Sequence, residues 1–428
     1  MAETDRLAAL FTNSTANTVL SWLFVAVLIG ALARDVSTGQ YGATLLTIIA
    51  IAIVLAPAVA FRDPTVVPPW QFLGLICLPL LWQVFIPSGP ATAIVPSLST
   101  ATLGLLFVVE LHLFTDLRLV PWLSVVLTVL VTLAVASVRQ ILRWSADVLL
   151  GTSFLLDGRS GMAINRAVMI EFLSVAVAGV VAGVAFYRYF QRTPGSPDSR
   201  IAAEDTPPTE TPSEAALISD RLSLSTARQR RIAAVMQAML GLVFLYGLWT
   251  RQLPLLVNAG TMLGITFLPA VLERDYGIPI EPGLALWITS AVFLHALGTV
   301  GLYDVLSQWD TLTHLYSATV IAAAGYTTLR VIHLHVPSVY LPPWAMFAFT
   351  IVFVVAMGVA WEILEFFADQ SARHLGVEAV LAQRGIDDTI TDMLFNAVGA
   401  VLVATWGTTY LVRLSDTLAA FLEDEMDG

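Results

Sequence analysis

The chain contains no lysine: all 21 basic residues among its 428 are arginines, set against 32 acidic residues and a net charge of -11. Charged residues make up only 12%, far below the roughly one quarter usual in soluble proteins. A single cysteine, Cys77, rules out an internal disulfide framework and a thiolate metal site within one chain. There is no His-Glu-x-x-His pair, no Gly-x-Ser-x-Gly elbow and no phosphate-binding glycine loop, which removes three common hydrolase and nucleotide-binding routes. Nor is there a basic domain, so nucleic acid is not an expected partner. The first apolar run is followed by many others and reads as a signal anchor rather than a cleavable signal. An acidic, lysine-free surface suits a salt-loving host, and GC-rich coding would give the same composition.

Apolar sequence fills the space that charge leaves. Hydrophobic residues make up 57% and the mean hydropathy is +0.79, which predicts an all-α, polytopic transmembrane helical bundle. Runs long enough to span a bilayer, roughly 17 to 25 residues each, fall at 17–34, 42–61, 70–86, 93–114, 119–142 and 167–190 in the first half. In the second half they fall at 232–250, 255–273, 283–300, 311–333, 343–368 and 390–412, twelve in all. Residues 191–231 are polar and Pro-rich, as in Thr206-Pro207-Pro208-Thr209, and read as a disordered cytoplasmic linker. An acidic cytoplasmic tail covers 413–428.

Placing both termini in the cytoplasm puts thirteen arginines inside and eight outside, seven of the thirteen lying between Arg188 and Arg231. The expected location is the cell membrane, as a multi-pass protein whose general partner is the lipid bilayer. In that orientation Asn13-Ser14-Thr15, which fits a glycosylation sequon, is cytoplasmic and carries no meaning.

The two halves, 1–190 and 232–412, read as copies of one six-helix repeat. Pro57-Ala58-Val59 before Arg62-Asp63 recurs as Pro269-Ala270-Val271 before Arg274-Asp275, and Pro121-Trp122 recurs as Pro343-Trp344. At the second of these spacings Gln140, Arg143 and Asp147 fall beneath Glu362, Glu365 and Asp369. An even number of spans per half makes the repeats parallel. The first copy has lost the acidic and histidine groups of the second, so one half reads as scaffold and the other as the carrier of the site.

Those groups are the unusual feature of the chain. Glu362 and Glu365 share one helical face near the end of the eleventh run. Asp310 and His314 open the tenth, one turn apart; Asp388, Asp392 and Asn396 open the twelfth at spacings of four; His295 lies near the end of the ninth. Because successive spans alternate in direction, all of these lie on one side of the membrane, the extracytoplasmic side in the expected orientation. One charged side chain at the centre of a membrane helix costs roughly 2.5 to 3.5 kcal/mol, so such a set calls for shared protons, a cation or water.

Phe293-Leu294-His295-Ala296-Leu297-Gly298, Tyr303, Asp310 with His314, Glu362 with Glu365, and Asp388-Thr389 before Asp392-Met393 resemble the signature of the YjdF-like inner-membrane proteins. The resemblance covers about 232–412. It departs at Gln383-Arg384-Gly385-Ile386-Asp387, where the family sets Gln and Gly side by side. It implies a membrane fold and supports the site residues, and it names no reaction.

Carboxylates and imidazoles at helical spacing suit a divalent metal ion, the cofactor this donor set would accept. They equally suit a proton or cation relay. The favoured expectation is a proton- or cation-binding, transport-related protein, with His295, Asp310, His314, Glu362, Glu365, Asp388 and Asp392 as the metal or proton site. One alternative is a metal-dependent hydrolase or transferase acting on lipid or envelope substrates, with a lipid or small ion as its ligand. Another is a structural or accessory subunit. The placing of the acids in one leaflet counts against transport, since coupling sites usually lie near the midplane. Glu110 and His112 point to different faces and read as core polar contacts, while His333 and His335 read as water-facing. His374 and Glu378 are further candidate ligands. Arg143 and Arg166 are candidates for pairing with the acids or for a lipid phosphate.

Overall fold

The computed structural model describes residues 15–39, 41–85, 94–192, 225–276, 280–306, 308–377 and 383–407. Of the linker expected over 191–231, residues 193–224 lie outside the described residues, as do the acidic tail, Asn13, Ser14 and Glu378, while 191–192 and 226–231 are helical rather than disordered, as the ends of the flanking helices. Among the described residues the regular structure is helical, and ten helices are long and apolar enough to cross a membrane. Two shorter apolar helices, Thr47–Phe61 and Trp70–Trp82, stand where the remaining two of the twelve expected runs fall. The chain is thus an all-α polytopic membrane bundle.

It divides into two compact units, residues 1–204 with 338–342, and residues 205–337 with 343–428. The first unit holds α1 (Thr15–Ser37), α2 (Tyr41–Phe61), α3 (Trp70–Phe85), α4 (Ile94–Phe114), α5 (Pro121–Leu150) and α6 (Gly161–Arg192). Proline at its first position suits the start of α5, and Gly151 at φ 67° closes it in a left-handed cap. The apolar core of this unit gathers Val25, Leu28, Val54, Leu73, Ile76, Cys77, Leu105 and Leu106. Helices α4, α5 and α6 pack as a mutual triangle, and α3 packs on both α1 and α4.

In the second unit α7 (Thr226–Thr250) begins after Ser225, whose side chain caps the amide of Arg228. The run expected at 255–273 is two pieces, α8 (Leu253–Thr266) and α9 (Leu268–Tyr276). Pro269 has no amide hydrogen to give the carbonyl of Ile265 four residues back, which accounts for the break. Then follow α10 (Pro282–Leu297), a π-helical turn over Gly298–Leu302, the short α11 (Tyr303–Val305), α12 (Gln308–His335), α13 (Pro343–Leu375) and α14 (Ile386–Leu402). Helices α12, α13 and α14 form a triangle like that of α4, α5 and α6, with α10 against α12 and α7 against α8 and α10. A Cβ on Gly399 would lie 2.8 Å from both Ala318 Cβ and the carbonyl oxygen of Leu315. Only glycine lets α14 approach α12 that closely.

Two helices run further than their apolar stretches. α13 continues ten residues beyond Glu365, so the acid pair lies inside the helix rather than in its last turn. α5 likewise runs on to Leu150. In both cases an aspartate on the extension binds the loop that follows: Asp147 accepts from the amides of Phe154, Leu155 and Leu156 at 2.6, 2.6 and 2.8 Å, and Asp369 from the amide of Gln383 at 3.3 Å. The polar extension is held by loop hydrogen bonds, which a count of apolar residues does not register.

Candidate functional site

The site is assembled where α10 ends, α12 and α14 begin and the second half of α13 passes. Asp310 and His314 share one face of α12, being four residues apart, and α14 packs against that face with Asp392. The Nε2 atom of His314 lies 3.6 Å from Asp310 Oδ1 and 3.5 Å from Asp392 Oδ2. One ligand atom from each of the three lies within 4.8 Å of the others. The side chain of Asn396, one turn beyond Asp392, hydrogen-bonds the His314 imidazole. His314 and Asp392 are 8% and 5% exposed. Arg384 reaches Asp310 Oδ2 at 3.8 Å from a largely open position, where such a pair contributes little.

Glu362 is 1% exposed, and its Oε2 accepts from Gln383 Nε2 at 3.0 Å and from Thr389 Oγ1 at 2.9 Å. Its other oxygen, Oε1, is buried and has no hydrogen-bond partner among the described residues. Glu365 accepts from the indole of Trp361 at 2.9 Å, one turn back on the same helix. Asp388 accepts the amide of Arg384 at 3.1 Å and so holds the entry into α14, where an acid also suits the helix dipole. Asp310, Glu362, Glu365 and Asp388 all stand close enough to Asp392 to interact with it electrostatically. Five carboxylates and an imidazole are therefore concentrated at one level of the bundle.

His295 stands at the edge of this set. Its Nδ1 shares a hydrogen bond of 2.7 Å with the hydroxyl of Tyr303, and its ring meets that of Trp361 at 6.1 Å. The guanidinium of Arg384 lies 5.4 Å from the centre of the Tyr303 ring, a cation–π distance. The chain between α10 and α12 makes room for this. A Cβ on Gly298 would fall 2.2 Å from the Tyr303 ring, and Trp309 Nε1 ties the start of α12 back to the carbonyl of Leu294 at 2.9 Å.

The structure thus brings Asp310, His314 and Asp392 within reach of one another, surrounds them with Glu362, Glu365 and Asp388, and leaves His295 on Tyr303. The neutral partners Gln383, Thr389, Trp361, Tyr303 and Asn396 stand outside the set of site residues that the sequence predicts. Their signal was local, since Asn396 continues the spacing of Asp388 and Asp392 and Trp361 lies one turn before Glu365. Of the weaker candidates, His374 is exposed in the last turn of α13. His112 accepts the amide of Leu119 at 3.2 Å, and Glu110 is 5% exposed. Arg143 binds Gln140 Oε1 at 3.1 Å and the carbonyl of Phe154, all within the first unit, while Arg166 is exposed.

A cavity of about 490 Å³ opens inward from this cluster, between α8, α10, α12 and α13. His295, Thr313, His314, Ser317 and Asn396 line its cluster end; Met262, Ile265, Ile288, Val320, Ile321, Val354 and Met357 line the rest.

Residues 232–413 match the family described as Predicted membrane protein (DUF2238), which is the YjdF-like family of the resemblance. An uncharacterized protein of Thermotoga maritima is 26% identical over 179 residues, covering 41% of this chain and 88% of the relative. Residues 5–67 match a separate domain of unknown function (DUF8268). No solved structure matches the chain.

Proposed function

Taking the second half of the chain as a member of this family of membrane proteins, we propose that it binds a divalent cation between Asp310, His314 and Asp392. The observation that carries the reading is the spacing of the donors. Two ligands of a tetrahedral ion at bonds of about 2.0 to 2.2 Å lie about 3.4 Å apart, and His314 Nε2 is 3.6 and 3.5 Å from its two carboxylate neighbours. One imidazole with two carboxylates is a donor set suited to Zn, Mn or Fe in its divalent state. Asn396 would hold the ring of His314 in place, the role outer hydrogen bonds play around metal-bound histidine. Glu362, Glu365 and Asp388 add negative charge around the ion, which relieves the cost of gathering carboxylates within a bundle.

The ion would sit on the extracytoplasmic side of a plasma-membrane protein with both termini in the cytoplasm, the orientation supported by the thirteen arginines against eight. A proton relay along the bundle is the weaker reading of the same residues. Beyond Ser317 the cavity leading inward is apolar, which supports an ion held at one level over a polar path. The first half serves as scaffold, a degenerate copy of the second. The matching helix triangles, and the loop-binding aspartates Asp147 and Asp369 at equivalent places, support that descent.

Counting metal in the full-length protein, purified without chelator, tests the reading. One transition-metal ion per chain, lost in His314→Ala, is the expected result. Metal-free protein that still binds no added divalent ion would leave the proton reading in its place.

A further inference from the structure

We propose that the cavity between α8, α10, α12 and α13 takes the hydrocarbon chain of a membrane lipid, whose polar end meets the Asp310, His314 and Asp392 cluster. The inference names a ligand class for the site proposed above. It rests on the cation reading only for what is bound at the polar end.

The volume, about 490 Å³, falls within the range of roughly 300 to 1,000 Å³ typical of small-molecule sites. The lining is graded rather than mixed. Every hydrogen-bonding side chain around the cavity except the Trp361 indole belongs to His295, Thr313, Ser317, His314 or Asn396, and the opposite end is aliphatic or methionine. The helix directions fix how deep this gradient runs. Ile288 to His295 on α10 and Thr313 to Ile321 on α12 cover seven and eight residues in opposite chain directions. At 1.5 Å per residue that is about 10 to 12 Å, and Val354 to Leu364 on α13 adds a wall of about 15 Å. The slot therefore starts at the cluster and reaches toward the middle of a hydrocarbon layer about 30 Å thick.

Its flank is where bilayer lipid would be. Ile321, Met357 and Leu364 line the cavity and are also 37%, 38% and 53% exposed on helices that are candidate spans. Such residues face acyl chains in a membrane, so the cavity is open to them from the side. Water is a poor occupant, since a buried water needs two to four polar partners and the aliphatic end offers none. A hydrocarbon chain entering sideways fills that end and carries its ester or phosphate oxygens up to the level of His314. There a bound cation would meet them as a Lewis acid.

The test uses full-length protein reconstituted in vesicles of phosphatidylglycerol carrying a photoreactive diazirine on one acyl chain, with adducts mapped by mass spectrometry. The expected adducts lie on Met262, Val320, Ile321 and Met357, above the level at Leu242 and Leu245 of α7, which are more exposed at 66% and 57%. Filling the slot with Ala360→Phe, or crowding its exposed mouth with Ile321→Trp, should remove the cavity adducts and leave those on α7 unchanged. The mouth variant covers the case in which the inner one does not fold. Adducts that simply follow exposure, or that survive both substitutions, overturn the proposal. Metal content is read on the same samples. Cavity adducts in metal-free protein leave the lipid site standing and the cation reading refuted, while bound metal without cavity adducts gives the reverse.

Discussion

At the scale of single residues, the energetics of the second unit turn on buried groups whose partners are few and specific. Among the described residues Glu362 has two donors on one oxygen and none on the other. Glu362→Ala should take the acceptor from Thr389 and one of the acceptors from Gln383, whose Nε2 keeps the Glu362 carbonyl, and cost about 1 to 3 kcal/mol, the usual penalty for disrupting buried hydrogen bonds. Midpoints of unfolding in detergent would measure this, and an unchanged midpoint would show that these bonds contribute nothing. Asn396→Ala leaves both carboxylates of the triad in place and removes the hydrogen bond to His314. Metal affinity is expected to fall about 10- to 100-fold, as for other outer partners of metal-bound histidines, with stability little changed. In the first unit Asp147 receives Thr152 Oγ1 and three backbone amides. Asp147→Ala should therefore cost at least about 2 kcal/mol, read as a loss of thermal stability without loss of bound metal.

At the scale of helices, the site exists because α14 lies against α12, and that contact is set by Gly399. Gly399→Leu would force the two helices apart near Leu315 and Ala318. Overpacking of this kind costs about 1 to 3 kcal/mol. Because the same contact carries Asp392 to His314, the variant should lose metal and stability together, unlike Asn396→Ala, and paired metal and unfolding assays separate the two. Much of this level was legible in the sequence. Membrane helices are read from apolar length alone, and the alternation of spans placed Asp310, His314, Glu362, Glu365, Asp388 and Asp392 on one side. What could not be read was the sorting within that set. Periodicity tells which acids share a level but not which meet, because that depends on helix rotation and on close approaches such as the one at Gly399. Nor does apolar length register the extensions of α5 and α13, whose polar turns are stabilised by loop amides bound to Asp147 and Asp369.

At the scale of the whole molecule, orientation is open to direct measurement. Cys77 is buried and the chain has no other cysteine, so one introduced thiol reports its own side of the membrane. Asp157→Cys, in the exposed loop after α5, should react with an impermeant maleimide in intact cells, and Asp275→Cys in the last turn of α9 should react only once the cells are opened. The reverse pattern would put the acid cluster on the cytoplasmic side. The proposed function stands on the cation. Its most direct measurement is a titration of chelator-stripped, full-length protein with Co²⁺, followed by the visible absorption of the ion. The expected result is saturation at one ion per chain with a spectrum of mixed nitrogen and oxygen ligation, abolished in His314→Ala and Asp392→Asn and retained in Glu365→Gln. Absence of saturable binding, or binding that survives both substitutions in the triad, would contradict it.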